Sequence, residues 1–278
     1  MSTAPKADLK KFFNPASVAL VGATDDLSRF AGKVLMRMTD FGYKGKIYPV
    51  NPRFKGQKVR GFECYGSVRD LPEAPDHVGV VVPAQHVLGI LEDCAARGAR
   101  FVTVYTGGFA ESGTAEGKAL QAEVVALARR AGMRIMGPNC NGVVNFVDAY
   151  AMTSTMAIKG KRAPAGDIGI VSNTGGFGQI NIMYRAQEIG LGVSYQASCG
   201  NEADIDSLDF AQFMLRRKKD EVMMQLPPIS FSEVTVERSQ VDLALERFAH
   251  AFDAQPYNVG TAANPQPTKG TMGQTADQ

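Results

Sequence analysis

The chain has 278 residues, 45% hydrophobic and 21% charged, enough for two domains of ordinary size, each with its own core. Its 30 basic residues nearly balance its 28 acidic ones, so no global field draws it to nucleic acid or an anionic membrane, and any anion must be bound locally. No apolar run approaches the roughly 20 residues that span a bilayer, and the opening MSTAPKADLKKFF holds no apolar signal core, so a cytoplasmic protein without a membrane partner is expected.

Ser17 to Val21 (SVALV) reads as a buried strand ending at Gly22, and Val34, Leu35 and Met38 share one face of a following helix. Lys46 to Val50 (KIYPV) is the next strand, with Pro49 expected at its end. His77 to Val82, Arg100 to Tyr105 and Arg134 to Met136 continue the series, separated by helical spacing over Val87 to Ala96 and Gly117 to Ala131, the latter capped by Gly132. Strands alternating with helices of this length imply right-handed crossovers and a parallel, doubly wound sheet over residues 8–145.

After the polar connector IKGKRAPAGD the pattern restarts, with strands at Ile168 to Ser172 and Val193 to Ala197 around a helix from Gly176 to Glu188. This second α/β unit is expected over 160–215. Beyond Leu215 come the charge cluster RRKKDE, the breaker LPPIS and one amphipathic helical pattern (Val241, Ala244, Leu245, Phe248, Phe252), a variable segment over 216–255. Residues 256–278 hold too few large apolar groups to offset the entropy of folding and are expected to be disordered.

Ligands of an open α/β sheet lie beyond the carboxyl ends of its strands. The turn after the first strand, VGATDDLSRFAG, has a glycine but not the full GxGxxG. The second strand ends VNPRF, where an NAD-binding domain would carry an acidic residue for the ribose diol. Asn51, Pro52 and Arg53 offer an amide and a cation instead, which suits a phosphorylated ribose; NADP and coenzyme A both fit. The later strand ends, VVVPAQH and VYTGGFAE, leave backbone groups free and bulk small where a long, thin ligand could lie. In IVSNTGGFGQ, the residues Ser172, Asn173, Thr174 and Gly175 stand where a strand hands over to a helix, and free amides with the helix dipole would stabilise a phosphoryl group. An N-cap and close-packing turn would leave the same pattern, and both readings stay open.

The segments NPASVALVGATDD, GKIYPVNPR, VVVPA, YTGGFAE, GPNCNG, GIVSNTGGFG and SCGNEADIDSLDF, in this order over about residues 10–215, resemble the NDP-forming acyl-CoA synthetases, which include ADP-forming acetyl-CoA synthetase and the α subunit of succinyl-CoA synthetase. The resemblance implies an α/β fold class, a Rossmann-like parallel-sheet CoA-binding domain followed by a partial flavodoxin-like domain, to which composition adds the disordered C-terminal tail. It places CoA contacts at Ala23, Thr24 and Asp25, at Asn51, Pro52 and Arg53, at Pro83 and Ala84, and at Thr106, Gly107, Gly108 and Phe109. The adenosine end would lie near Arg53 and the pantetheine arm along the Pro83 and Gly107 loops. Ser172 to Gly175 would face a phosphohistidine that carries the phosphoryl group between nucleotide and carboxylic acid, before the CoA thiol attacks the activated acyl group.

No histidine of this chain matches that role. His77 opens a buried strand, His86 follows the VPAQ loop, and His250 lies off the apolar face of its helix without a flanking glycine. The family's steadying glutamate is also unmatched, so no catalytic residue is assigned. The pattern stops near Leu215, as in a truncated reading frame or a paralogue with a new tail. Cys140 lacks a nearby histidine and reads as part of a structural turn, while Asp204, Asp206 and Asp209 fit a helix start rather than a cation loop. The cysteines form no CxxC pair, so buried reduced thiols and no metal are expected.

Three functions follow: the α-like part of such a synthetase, partnered by a separate ATP-grasp chain or as a homo-oligomer; a CoA or acyl-CoA binding protein without chemistry; or an NAD(P)-binding oxidoreductase or sensor. The VNPR ending and incomplete GxGxxG count against the third.

Overall fold

The computed structural model describes residues 8–155, 158, 165–174 and 177–221. The expected connector core, the amphipathic segment with His250, the tail and Gly175 lie outside the described residues. In chain order the elements are α1 (Lys10–Phe13), β1 (Ser17–Val21), α2 (Phe30–Asp40), β2 (Lys46–Val50), β3 (Lys58–Val59), β4 (Phe62–Glu63), β5 (His77–Val80), α3 (Ala84–Arg97), β6 (Phe101–Val104), α4 (Ala115–Ala131) and β7 (Arg134–Met136). Then follow β8 (Gly142–Asn145), β9 (Tyr150–Thr153), β10 (Ile168–Ser172), α5 (Phe177–Glu188), β11 (Val193–Ser198) and α6 (Ser207–Glu221).

The first sheet has the order β2-β1-β5-β6-β7 with every pairing parallel. Its strands read as continuous apolar runs because helices cover both faces. From β1 the chain steps outward to β2, then returns to β1's other side with β5, so the order reverses at β1. Pro49 is the penultimate residue of β2 rather than its end, tolerated because β2 is the sheet's edge. β5 stops at Val80 and not Val82, which frees Val81 and Val82 for the turn beyond it. α4 ends at Gly132 in the left-handed conformation, as its sequence suggests.

The second sheet has the order β10-β11-β8-β9, parallel between β10 and β11 and antiparallel thereafter. The residue patterns did not reveal β8 and β9, which are short and lie directly after the cis Gly137–Pro138 turn. α6 continues through the RRKKDE cluster to Glu221.

The short α1 is an aromatic peg between these layers. Phe12 meets His77, Phe101 and Phe210, while Phe13 lies against Tyr195 and stacks on Phe213 with ring centroids 4.9 Å apart. Both rings are wholly buried, each contributing about 2–3 kcal/mol of apolar transfer. Arg134 adds a half-buried polar clasp, its Nε 2.8 Å from Asp204 Oδ2 and its Nη2 3.2 Å from Asp209 Oδ2. Asp206 instead caps α6, accepting the Asp209 amide at 2.9 Å. Among the described residues no helix is long and apolar enough to cross a membrane, and no cluster of ligating side chains is set to hold a metal.

His77 is fully buried, with Nε2 2.7 Å from Thr103 Oγ1 and Nδ1 within 3.0 Å of the Tyr150 hydroxyl and 3.2 Å of the Phe12 carbonyl oxygen. Burial pushes its pKa down from 6.5 to about 3. The unfolded chain therefore binds the proton that the folded chain refuses, and stability falls as pH drops below the unfolded value. Between pH 7 and pH 5, where carboxylates titrate only slightly, urea unfolding should lose about 2 kcal/mol, and His77→Gln should flatten most of that slope. An unchanged urea midpoint in the unsubstituted protein would contradict the assignment.

Candidate functional site

The reversal of strand order at β1 opens a crevice between the turns after β1 and β5, and a cleft of about 610 Å³ lies there. Each nearby strand contributes residues to its wall. From the turn after β1 come Gly22, Thr24 and Asp26, and from the N-cap and first turn of α2 come Arg29, Phe30 and Ala31. The end of β2 supplies Asn51, Arg53 and Phe54, β5 supplies Val81, Val82 and Pro83, and β6 supplies Thr106.

Gly22 sets how close these turns can lie. Its φ is +87°, and a Cβ there would stand 2.2 Å from the Val81 carbonyl oxygen. Asn51 ties the next two turns together: its Nδ2 donates to the Ala23 carbonyl at 2.9 Å and its Oδ1 accepts the Arg53 amide at 3.1 Å, which opens the 3-10 turn Pro52–Phe54. The Thr106 hydroxyl donates to the Val82 carbonyl and binds the β5 and β6 turns to each other.

Of the residues the resemblance assigns to CoA, the structure brings Thr24, Asn51, Arg53, Pro83 and Thr106 together on the cleft wall. The others stand behind or beside it. Ala23 is buried, Asp25 accepts the Arg60 amide at 2.6 Å, and Pro52 and Ala84 begin their helical turns. Phe109 is wholly buried, while Gly107 and Gly108 lie in the exposed turn before it. Arg29, Phe30 and Phe54 are wall residues that motif reading passed over. The signal available was position alone, since the first turn of the helix after β1 and the residue after VNPR face the same crevice.

The cleft wall carries two cations, Arg29 and Arg53, and one carboxylate, Asp26. Arg53 makes no ion pair among the described residues, and its guanidinium carbon sits 5.8 Å from the Phe54 ring centroid. Arg29 reaches Asp26 only at 3.5 Å and both are exposed, so this pair is weak and Arg29 can turn to a ligand. Ser28, donating hydroxyl and amide to Asp26, holds that carboxyl below the ordinary range.

Ser172 ends β10, Asn173 and Thr174 follow it, and none of the three lines the cleft. The Ser172 hydroxyl donates to the Thr174 carbonyl at 3.0 Å and lies 3.2 Å from the Thr174 amide, a tight turn just ahead of α5. Cys140 is buried with its thiol 3.3 Å from the Val104 carbonyl oxygen, and burial pushes its pKa up to about 12, which suppresses the thiolate a nucleophile needs. All four cysteines are buried and unbridged, and His86 is exposed.

A doubly wound parallel sheet with a cleft at its switch point, joined to a second α/β sheet, defines an α/β protein of the class whose ligands lie beyond the strand ends. Residues 16–145 match the CoA binding domain, and residues 165–226 match the succinyl-CoA ligase like flavodoxin domain. The chain is 36% identical over 210 residues to the α subunit of ADP-forming acetate–CoA ligase I of Pyrococcus furiosus, covering 74% of this chain and 44% of that subunit. It is 34% identical over 216 residues to the α subunit of ligase II of the same organism, covering 77% of this chain and 45% of that subunit. The dinucleotide forming acetyl-coenzyme A synthetase 1 of Ca. Korarchaeum cryptofilum, solved with phosphate and ADP, superposes with a TM-score of 0.67 at 34% identity, over 74% of this chain and 42% of that one. The chain thus carries matches to a CoA binding domain and a succinyl-CoA ligase like flavodoxin domain, and is similar to the α subunits of ADP-forming acetate–CoA ligases. It spans under half the length of these relatives.

Gly22 and Gly56 both hold a positive φ, but a Cβ at Gly56 would meet nothing within 4 Å. Gly56→Ala should therefore cost about 1 kcal/mol in urea unfolding, the backbone strain alone. Gly22→Ala adds a backbone clash and should cost about 2–4 kcal/mol. Equal costs would show that the close approach after β1 is not the constraint.

Proposed function

We propose that this chain binds coenzyme A in the switch-point cleft and acts as the CoA-binding, α-like part of an NDP-forming acyl-CoA synthetase, an acid–thiol ligase. The observation that carries the reading is the end of β2, where Asn51 and Arg53 face the cleft in place of an acidic residue for a ribose diol; the wall's carboxylate, Asp26, comes from the turn after β1 and accepts from Ser28. That chemistry suits a ribose bearing a phosphate. In the proposed pose the adenosine end lies by Arg53 and the pantetheine arm runs along the Pro83 and Gly107 turns, toward the second α/β unit. The two units, over residues 8–145 and 160–215, then divide the work between holding CoA and serving the phosphoryl step at the Ser172–Gly175 turn.

Turnover would need a phosphoryl-carrying histidine and an ATP-grasp partner. None of His77, His86 and His250 has a neighbouring glycine, so the role assigned to this chain itself is to hold CoA or its thioester. A CoA-binding protein without chemistry is therefore the second reading.

Calorimetric titration with CoA, acetyl-CoA, NADH and NADPH tests the class of ligand. CoA should bind more tightly than either dinucleotide, and Arg53→Glu should weaken it by about tenfold or more, some 1.4 kcal/mol. Tighter binding of NADH than of CoA would overturn both CoA readings.

A further inference from the structure

One carboxylate joins the turn after β6 to the loop after β11. Glu111 Oε1 accepts the amides of Gly108 at 2.5 Å and Phe109 at 3.2 Å, while its Oε2 accepts from the side-chain amide of Asn201. The same Asn201 nitrogen donates to Gln121 Oε1 at 2.9 Å, and that oxygen accepts the Ala110 amide at 3.3 Å. Asn201 thus grips the β6 turn at two points.

Asn201 is itself held in place. Its own amide donates to the Pro138 carbonyl at 2.9 Å, and the Ala203 amide donates to the Gly137 carbonyl at 3.1 Å. Two residues earlier, the Cys199 amide donates to the Ser172 carbonyl at 2.7 Å, at the end of β10. The loop after β11 therefore touches both the Ser172 turn and the glycine turn beside the cleft.

The glycine turn needs such a hold. Gly107 and Gly108 are adjacent and exposed, Gly108 has a φ of +98°, and two glycines in sequence leave many backbone states open. A carboxylate bridging two of the turn's amides selects one state through charge-assisted hydrogen bonds. Burial works to raise the Glu111 pKa, but the Asn201 side chain and the Gly108 and Phe109 amides outweigh it and leave it below the ordinary value.

We infer that Glu111 and Asn201 form a positioning pair through which the second α/β unit sets the shape of the Thr106–Phe109 turn, and with it the seat of the ligand's pantetheine arm. The inference rests on the proposed CoA pose. Neither residue touches the nucleotide end, so the pair acts on one half of the ligand only. A latch that served folding alone would not distinguish the two halves.

The test compares CoA with adenosine 3′,5′-bisphosphate, which carries the nucleotide end without the arm. Asn201→Asp sets a second carboxylate against Glu111 and should weaken CoA about tenfold by calorimetry, leaving the bisphosphate within about twofold. Adding Glu111→Gln keeps an acceptor for the two amides and supplies a donor to the introduced aspartate, so the double variant should recover to within about threefold of the unsubstituted chain. Unchanged CoA binding by Asn201→Asp, equal losses for both ligands, or no recovery in the double variant would each overturn the pair's role. Absence of CoA binding by the unsubstituted chain would overturn the underlying pose instead.

Discussion

Gly22 stands with its Cα so near the Val81 carbonyl that no larger residue fits without moving backbone, and its φ of +87° is one that side chains rarely adopt. That approach presses the turn after β1 against the end of β5 at the point where strand order reverses. Asn51 then reaches the Ala23 carbonyl from the end of β2, and Thr106 reaches Val82 from the end of β6. The cleft is the space that these cross-ties leave. Its wall combines the turn residues Gly22, Thr24, Pro83 and Thr106 with the larger Phe30 and Phe54 and the charged Asp26, Arg29 and Arg53.

The parallel sheet was legible because each strand is a continuous apolar run with a turn residue after it, and each helix keeps its apolar stripe. Strand positions from Ser17–Val21 to Arg134–Met136 emerge with errors of at most two residues at their ends. Those small errors matter at the site. Stopping β5 at Val80 turns Val81 and Val82 from sheet residues into cleft wall. α1 was not legible, since four residues carry no periodicity and KKFF becomes a peg only when Phe101, Tyr195 and Phe210 converge on it from distant parts of the chain. β8 and β9 escaped for the same reason, because GVVN and YAMT are too short to signal before β11 pairs with them.

The site was legible by motif at strand ends and silent where geometry decides. Thr24, Asn51, Arg53, Pro83 and Thr106 meet at the cleft as motif position suggests, whereas Arg29, Phe30 and Phe54 join them through the rotation of α2 and the 3-10 turn. Glu111 stands in the quoted YTGGFAE motif, yet its partner Asn201 is 90 positions away and only the folded chain connects them. Motifs mark the strand ends, and tertiary contacts determine which residues face the cleft.

Amide hydrogen exchange with and without CoA addresses the central claim, that CoA lies across the carboxyl ends of β1, β2, β5 and β6. Added CoA should slow exchange in the turns around Gly22–Thr24, Asn51–Phe54, Val82–Ala84 and Thr106–Phe109, and leave the outer surface of α4 unchanged. Protection centred on α4 or α5, with those turns unaffected, would contradict it.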